Sequence, residues 1–374
     1  MNALVYYGPG DLRLEERPPL KPGPHEAVLR VRACGICGTD LRILSGAHRA
    51  YPEGTVRVPG HEMAGVIVAR GQQVDMPEGT AAFVAPNIGC GVCAPCRAGH
   101  ANLCRQPQAL GITRDGAFAE EVLLPAQLLA QGNVLPVPEP FDAGAVALVE
   151  PLACVLRGAR ACAIAAGDLV LIIGAGPIGL LHLRVARLRA ARAIIVSAHG
   201  AERRARALAW GADHVIDPVA EPLEDVIAGL SSGQGADVII VAAPDPRAQA
   251  QAVGLAAARG RINFFAGLPK DRSHITIDAN AIHYKELVVT GATANTTEDC
   301  REALALVTSG QIDTAGLISA RFVLGESSAA FAAVRSGEAL KVVLEPWAGA
   351  ASRRDREKTG SDQRSTLDAH GLLS

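Results

Sequence analysis

The sequence predicts an α/β protein of two domains, in which a β-rich domain is followed by a doubly wound parallel sheet. Residues 1 to about 150 contain short apolar runs broken by Gly and Pro, which is typical of short β-strands. From about Gly167 onward, β-branched runs alternate with segments of helical spacing, which indicates a parallel sheet covered by helices on both faces. The length of 374 residues also favours two hydrophobic cores over one.

The predicted strands and helices follow from these patterns. In the β-rich part, the predicted strands are Glu26 to Val31, Met63 to Val68, Ala81 to Ala85 and Phe118 to Leu124. In the second part, they are Leu169 to Ile173, Ala193 to Val196, His214 to Ile216, Asp237 to Ala242, Arg261 to Ala266 and Leu287 to Thr290. The predicted helices between them are Ile178 to Leu188, Ala201 to Trp210 and Ala248 to Ala258.

The segment after Gly291 is expected to return to the first domain. It contains two predicted helices and one strand, namely Glu298 to Val307, Ser327 to Val334 and Lys341 to Leu344. We therefore expect domains at residues 1–152 and 153–291, with the return at 292–347. Residues 348–374 are polar and charged with few apolar positions, so they are predicted to be disordered.

Charge and cysteine content exclude several classes of function. With Lys+Arg 36 against Asp+Glu 38, the chain has no basic footprint for nucleic acid or an anionic membrane. The most apolar run, Leu169 to Leu183, is too short to span a bilayer, and the N-terminus lacks a secretory pattern. We expect a soluble, cytoplasmic protein. In that compartment nine cysteines, an odd number, favour metal binding over a disulfide framework.

A cysteine lobe spans residues 88–106. Its four cysteines are Cys90, Cys93, Cys96 and Cys104. Soft thiolates favour a closed tetrahedral zinc site, and closed sites are structural. The alternatives are two disulfides, free thiols or a nucleic-acid zinc ribbon, and the lack of a basic, aromatic-interleaved stretch counts against the ribbon.

A glycine turn opens the second domain. Gly174, Gly176 and Gly179 form a Gly-x-Gly-x-x-Gly pattern after a predicted strand and before a predicted helix, with Pro177 and Ile178 inside it. This context predicts a dinucleotide site in which the helix N-terminus receives the pyrophosphate.

The end of the next strand bears on the choice of cofactor. An acidic residue that binds the ribose hydroxyls is expected about 20 residues after the turn, and this sequence has Ala198. The absence of that carboxylate, together with His199 and Arg203, favours NADP(H) over NAD(H). The alternative is that Arg203 and Arg204 form a solvated helix face and that NAD(H) still binds.

Five motifs in order resemble the zinc-containing medium-chain dehydrogenases, most of all the sorbitol and threonine dehydrogenases. They are 35–40 (GICGTD), 59–62 (PGHE), the cysteine lobe, 150–153 (EPLA) and the glycine turn, within a similarity over about residues 1–346. The resemblance implies a GroES-like catalytic domain joined to a Rossmann domain, with the active site in the cleft between them. It also implies a homodimer or homotetramer.

The same resemblance implies a second, catalytic zinc. Cys37 and His61 match the first two ligands, and Glu62 and Glu150 match the acidic positions that complete the shell or exchange into it. Such a site needs about three protein ligands and one open position. Cys154 is an alternative third ligand, although the sequence that begins at Glu150 matches the polyol-type pattern.

The resemblance also assigns roles to residues near these ligands. Asp40 would orient His61 through its second ring nitrogen, and Thr39 would carry the substrate proton away. Related sequences often have His two positions after that Asp, whereas this chain has Arg42, so His48 or water would continue the proton route. We interpret Cys34 as a buried neighbour of Cys37.

The predicted activity is hydride transfer between a secondary alcohol, or the corresponding ketone, and NADP(H) or NAD(H). Polyols, sugars, cyclitols, amino-alcohols such as threonine and phosphorylated polyols are the candidate substrates that the resemblance implies. A zinc-free quinone or enoyl reductase would not need Cys37, His61 and Glu150. A non-catalytic zinc-binding interaction protein would not need the dinucleotide turn.

Overall fold

The computed structural model describes residues 1–347, which form two compact units. The first unit contains residues 1–82, 109–129 and the described residues from Ile318 onward. The second unit contains residues 83–108 and 130–317. The domain boundaries expected from the sequence stay a prediction, and the predicted disordered tail lies outside the described residues.

The strands are short in both units. In chain order they are β1 Asn2–Gly8, β2 Asp11–Glu16, β3 Ala27–Ile36, β4 Glu62–Arg70, β5 Ala81–Val84, β6 Asn87–Ile88, β7 Gln108–Ala109, β8 Glu121–Leu124, β9 Val134–Pro136, β10 Leu169–Ile173, β11 Ala193–Ser197, β12 His214–Ile216, β13 Ala236–Val241, β14 Ala256–Phe264, β15 Val288–Gly291, β16 Ile318–Phe322 and β17 Lys341–Leu344.

The longer helices lie mainly in the second unit. In chain order the helices are α1 Gly38–Leu44, α2 Ala94–Arg97, α3 Ala126–Ala130, α4 Ala143–Ala147, α5 Val149–Ala161, α6 Pro177–Leu188, α7 Ala201–Ala209, α8 Leu223–Leu230, α9 Pro246–Leu255, α10 Ala279–Tyr284, α11 Thr297–Thr308 and α12 Ser327–Ser336.

The second unit contains the predicted doubly wound sheet. Its strands are parallel and lie in the order β12-β11-β10-β13-β14-β15. All five residues of β10 are buried, as expected of a strand with helices on both faces. Strands β11 and β12 are added on one side of β10, whereas β13, β14 and β15 are added on the other side. Such a reversal in strand order leaves a crevice for ligands at the carboxyl ends of the strands.

The first unit contains a sheet in which β16, β17, β3 and β4 are adjacent in that order, and β8 also pairs with β3. Val343 of β17 pairs with Gly35 of β3, and Gly35 pairs with Glu62 of β4. Strand β3 thus lies between β4 and β17 and is antiparallel to both, so β17, the last strand of the described residues, lies two positions along the sheet from Glu62.

Several predicted elements differ from the structure at one end, and two of them show why. The helix expected over Ala248 to Ala258 ends at Leu255, because Ala256 pairs with Ala236 and begins β14. The strand expected from Phe118 begins at Glu121. The carbonyl of Phe118 accepts from Leu4 N, and Phe118 N donates to Pro59 O, so Phe118 bonds outside the ladder of β8. In both cases tertiary hydrogen bonds override local preference.

Candidate functional site

Cys37 is placed by the start of α1. It caps this helix, and its Sγ accepts a hydrogen bond from Thr39 N at 3.2 Å. Asp40 completes the cap, because its Oδ2 accepts from Cys37 N at 2.9 Å. Ser, Thr, Asp and Asn are the usual residues at this position, so here a sulfur takes the place of an oxygen.

His61 is placed by a turn that requires glycine. Gly60 has φ +95°, and a Cβ there would lie 2.6 Å from Phe118 Cδ1 and 2.8 Å from Phe118 N. The backbone of Phe118 is itself fixed by its bond to Pro59 O. A larger residue before His61 would therefore move the imidazole.

Cys37, Asp40 and His61 form one cluster, in which Asp40 and His61 are buried and Cys37 is half-buried. His61 Nε2 lies 3.3 Å from Cys37 Sγ, and His61 Nδ1 lies 3.6 Å from Asp40 Oδ1. Burial by itself lowers the pKa of His61, but the negative charges of Cys37 and Asp40 outweigh it and raise that pKa well above its usual range. The cluster thus favours a positive charge at the imidazole, whether that charge is a proton or a metal ion.

Glu62 lies beside this cluster and is bound by a residue that sequence reasoning missed. Lys341 Nζ lies 2.7 Å from Glu62 Oε1 and 2.6 Å from Oε2, and both side chains are buried. Burial lowers the pKa of Lys341, but the charge of Glu62 outweighs it and raises that pKa. The sequence offers one signal for this pair, because Lys341 is the only charged residue of the buried strand 341–344.

These residues of the first unit fit a divalent metal. With Cys37 as thiolate, the cluster contains three anionic groups together with Asp40 and Glu62, of which the two carboxylates are buried, and Lys341 offsets one charge. A divalent ion balances the remaining two, since uncompensated buried charge is costly. Thiolate and imidazole are donors that zinc prefers, and Asp40 faces the other ring nitrogen, as is usual for a ligand histidine.

Other residues predicted near this site differ in their exposure to solvent. Thr39 is half-buried, whereas Arg42 is exposed. His48 is half-buried and its Nδ1 accepts from Ala50 N at 3.2 Å; burial and then the charge of Arg42 lower its pKa. Cys34 is fully buried, and burial raises its pKa well above the usual range.

The four lobe cysteines converge in the second unit, with their sulfurs within 4.8 Å of one another. All nine cysteines, which lie within the described part of the chain, are free. Cys93 and Cys104 Sγ are 3.9 Å apart, well beyond the ~2.05 Å of a disulfide bond. The arrangement is a tetrathiol pocket.

Backbone amides surround the lobe sulfurs. Cys104 Sγ accepts from Cys90 N at 3.2 Å and from Gln106 N at 3.3 Å. Backbone hydrogen bonds lower the pKa of Cys93 to about 6, whereas burial raises that of Cys96 to about 12. Amide donors stabilise thiolates, so the lobe fits a closed zinc site of four sulfurs.

Glu150 lies near the start of α5 in the second unit and is buried. Its Oε1 accepts a hydrogen bond of 2.6 Å from Asn295 Nδ2 and one of 3.6 Å from Cys154 Sγ, one turn further along the helix. Sequence reasoning also missed Asn295, although it directly precedes a capping pattern at the start of α11.

The glycine turn has the geometry expected for a dinucleotide. Gly174 has φ +112° directly after β10, and Gly176 caps α6 with Pro177 in its first turn. A Cβ on Gly179 would lie 1.9 Å from the carbonyl oxygen of Gly174, so only glycine allows the helix to pack this closely on the turn. Ile178 is half-buried in the first turn of α6. These residues fit the pyrophosphate of a nicotinamide dinucleotide.

Some side chains that follow β11 have hydrogen-bond or ion-pair partners within the protein, whereas others are exposed to solvent. Ala198 is buried, and Arg204 donates to its carbonyl oxygen at 2.9 Å while pairing with Asp217 at 2.8 Å. His199 and Arg203 are exposed. Of the two arginines at the start of α7, only Arg203 extends into solvent beside this strand end.

Comparisons with known proteins agree with this geometry. Residues 23–139 match the model of the alcohol dehydrogenase GroES-like domain, and residues 177–309 match that of the zinc-binding dehydrogenases. A sorbitol dehydrogenase of Halalkalibacterium halodurans is 31% identical over 92% of this chain and 99% of its own. An L-threonine 3-dehydrogenase of Saccharopolyspora erythraea is 34% identical, again over 92% and 99%.

A solved structure extends the comparison. A protein of Sinorhizobium meliloti 1021, described as a zinc-binding dehydrogenase and bound to NADP, has a TM-score of 0.85 and 35% identity over 92% of this chain and 99% of its own. The chain therefore belongs to the zinc-containing medium-chain dehydrogenases, with a GroES-like domain and a Rossmann domain. It is a zinc-dependent oxidoreductase that acts on CH–OH groups of small-molecule alcohols, as the resemblance in its sequence predicted. Among residues 1–347, none of the helices has the length and apolarity needed to cross a membrane.

Proposed function

We propose that the enzyme transfers a hydride between a small polar secondary alcohol, or the corresponding ketone, and NADP(H), using one catalytic zinc and one structural zinc per chain. The observation that carries this proposal is the part-buried contact of Cys37 Sγ with His61 Nε2, together with Asp40 at the other nitrogen of the imidazole. A merely structural histidine would not need a thiol at one nitrogen and a carboxylate at the other.

The chain's own residues then have distinct tasks. Cys37 and His61 hold the metal, which supplies Lewis-acid activation of the substrate hydroxyl when bound. Asp40 keeps the ring of His61 in the tautomer that presents Nε2. The hydroxyl of Thr39 takes the proton that leaves the substrate. The glycine turn holds the dinucleotide that accepts the hydride.

Glu150 rather than Glu62 is proposed as the third protein ligand. Both oxygens of Glu62 lie within ion-pair distance of Lys341, which neutralises the charge that a metal would use. Glu150 Oε1 accepts from the neutral amide of Asn295, which adds no positive charge of its own. Thus the partners Lys341 and Asn295 support Glu150 as the third ligand, which is the residue that the sequence pattern suggested.

A preference for NADP(H) is proposed from the end of β11. Ala198 leaves no carboxylate to repel a 2′-phosphate, and the exposed Arg203 offers a cation there. Arg204 is committed to Asp217 and to the carbonyl of Ala198, which leaves Arg203 as the proposed phosphate partner.

The cofactor proposal is tested by kinetics with both nucleotides. We expect a higher kcat/KM with NADP than with NAD, and Ala198→Asp should reverse the order, because the new carboxylate repels the phosphate and accepts from the ribose hydroxyls. Arg206→Ala, on the same helix but paired with Glu202, serves as control. A higher kcat/KM with NAD in the unaltered enzyme would refute the preference.

Substrate and assembly are proposed at a coarser level. The similarity to sorbitol and L-threonine dehydrogenases supports a polyol, sugar, cyclitol or amino-alcohol substrate. A threonine 3-dehydrogenase-type activity is the second candidate. Strand β15 is an edge strand of the second-unit sheet, and its side chains of Val288 (49%) and Val289 (36%) are exposed. This edge supports a homo-oligomer, since an exposed apolar edge strand can pair with a strand of another chain.

The zinc proposal is tested by metal analysis of matched cysteine variants. We expect two zincs per chain. Cys37→Ala should retain one and lose turnover by about a thousandfold, because the Lewis acid contributes several kcal/mol to transition-state stabilisation. Cys34→Ala, a buried cysteine on the adjacent strand, should keep both zincs and near-normal turnover. Turnover by Cys37→Ala protein that lacks the catalytic metal would end the proposal.

A further inference from the structure

We propose that Asn295 is the positioning residue for Glu150, acting within a buried hydrogen-bonded clamp between α5 and α11. The inference rests on the proposed role of Glu150 as a zinc ligand and deepens it. The clamp consists of Glu150, Cys154 and Arg157 on α5 and of Asn295, Asp299 and Cys300 at the start of α11.

Asn295 contacts Glu150 at two places. Its side chain is fully buried, and its Nδ2 donates to Glu150 Oε1 at 2.6 Å and to the carbonyl oxygen of Glu150 at 3.2 Å. The same nitrogen lies 3.2 Å from Cys154 Sγ. One amide group therefore holds both the backbone and the carboxylate of Glu150, and a charge-assisted bond of this length is strong.

The orientation of this amide is determined by the groups on its other side. Asn295 Oδ1 accepts from Asn87 Nδ2 at 2.9 Å and from Cys300 Sγ at 3.4 Å. If the amide were reversed, its oxygen would face the carboxylate and its nitrogen would face the donor of Asn87. Both contacts would be repulsive, so the Nδ2 of Asn295 faces Glu150.

Asn295 is held in place by the helix that it precedes. Thr296 and Asp299 form a capping box at the start of α11. Asp299 also accepts from Arg157 Nη1 at 2.8 Å and from Arg160 Nη1 at 2.6 Å, both on α5. Burial raises the pKa of Asp299, but these hydrogen bonds outweigh it and lower that pKa, so the carboxylate stays charged.

One face of α5 thus makes the whole contact. Glu150, Cys154 and Arg157 are spaced i, i+4 and i+7, which places them along one side of the helix. The Arg157–Asp299 pair fixes the distance between the two helices, and Asn295 uses that fixed distance to hold the carboxylate of Glu150. Since a metal ligand must be held to within about 0.5 Å, such support is what a carboxylate ligand requires.

A neutral amide suits this role better than a cation. Lys341 is an ion-pair partner of Glu62, whereas the partner that Asn295 offers to Glu150 Oε1 is an uncharged amide. Asn295 can therefore orient Glu150 without itself adding a positive charge.

The experiment compares Asn295→Asp with Glu150→Gln in the full-length holoenzyme. The readouts are zinc retention against a chelator, the visible spectrum after Co²⁺ replaces the catalytic zinc, and the separate values of kcat and KM. Asn295→Asp replaces the donor by a second carboxylate, so we expect catalytic-metal affinity to fall about 10–100-fold and the Co²⁺ spectrum to shift, with the lobe zinc retained.

Three further variants make the outcome interpretable. Asn87→Ala removes the hydrogen bond to the Asn295 side-chain oxygen and leaves Glu150 unchanged. We therefore expect a smaller loss of catalytic-metal affinity than in Asn295→Asp. Asn263→Asp alters another fully buried asparagine of the same unit, which contacts Gly158 and Thr290, and it should leave the Co²⁺ spectrum unchanged. The double variant Asn295→Asp with Glu150→Gln restores a donor–acceptor pair but still lacks the carboxylate ligand, so it should bind the catalytic metal no better than Glu150→Gln alone.

The outcomes separate the two proposals. If Glu150→Gln loses the catalytic metal but Asn295→Asp and Asn87→Ala behave like Asn263→Asp, the positioning role is wrong while Glu150 stays a ligand. If Glu150→Gln retains normal metal affinity and spectrum, Glu150 is not a ligand, and both proposals fail. A metal affinity lowered by Glu150→Gln and by Asn295→Asp, with a smaller loss in Asn87→Ala and no recovery in the double variant beyond Glu150→Gln, supports the positioning role.

Discussion

Among residues 1–347, two histidines are buried, and they lie in opposite kinds of interior. In the first unit, His61 lies among ionisable groups, with Cys37 at one ring nitrogen and Asp40 at the other. In the second unit, His182 of α6 is fully buried against the ring of Phe265, 4.6 Å away, and neither of its nitrogens has a hydrogen-bond partner among the described residues. The pKa of His61 is raised, whereas burial lowers that of His182 to about 3.

This comparison shows that burial alone does not make a histidine functional. Both rings lose water, and that loss by itself lowers the pKa in both places. Only the anionic neighbours reverse the direction at His61, and those neighbours are also what a metal site requires. The interior around His61 is stabilised by charge balance, and that around His182 by apolar packing.

Breaking the charge balance beside His61 should have the largest effect. Lys341→Met leaves Glu62 buried without its partner, so we expect the free energy of unfolding to fall by about 3–5 kcal/mol in denaturant titrations of the metal-free protein. Lys270→Met, at an exposed lysine, serves as control. A loss no larger than that of the control would contradict the charge-balance account, and Lys341→Met combined with Glu62→Gln should restore most of the stability.

A smaller effect is expected when only the orientation of His61 is disturbed. Asp40→Asn keeps an acceptor for Cys37 N but removes the charge that faces His61 Nδ1. We expect the affinity for the catalytic zinc to fall about 10–100-fold, measured by competition with a chromophoric chelator. Asp278→Asn changes another helix cap outside this cluster and should have no effect on zinc. Unchanged zinc affinity in Asp40→Asn would show that the contact is only structural.

The apolar surroundings of His182 should make the free energy of unfolding depend on pH. Since the pKa of His182 is about 3 when folded and near its ordinary value when unfolded, the unfolded chain binds the extra proton between these values. Stability is then present above pH 6.5 and is lost as pH falls. Between pH 7 and pH 5 we expect His182 to contribute a loss of about 2 kcal/mol.

His182→Leu tests this contribution, because leucine is neutral at every pH and leaves no unpaired nitrogen in the interior. Thermal unfolding at a series of pH values should show a shallower acid slope for the variant than for the unaltered protein. His214→Gln, at an exposed histidine, should keep the original slope. If His182→Leu also keeps it, the ring of His182 is not the source of the acid sensitivity.

Much of the fold was predictable from local patterns. The strands Leu169–Ile173, His214–Ile216 and Lys341–Leu344 were confirmed with the predicted bounds, because β-branched runs have little alternative in a buried sheet. The end of α9 was not, because Ala256 to Ala258 suit a helix as well as a strand. Only the pairing of Ala256 with Ala236 decides between them.

The candidate site shows the same division. The sequence by itself determined the family, the lobe cysteines and the glycine turn, because each of these depends on spacing within a short segment. The partners that set the charge and direction of the acidic side chains, Lys341 for Glu62 and Asn295 for Glu150, were decided only by the tertiary structure. Glu62 and Lys341 are 279 residues apart, and no local pattern can encode a contact that antiparallel strand pairing creates.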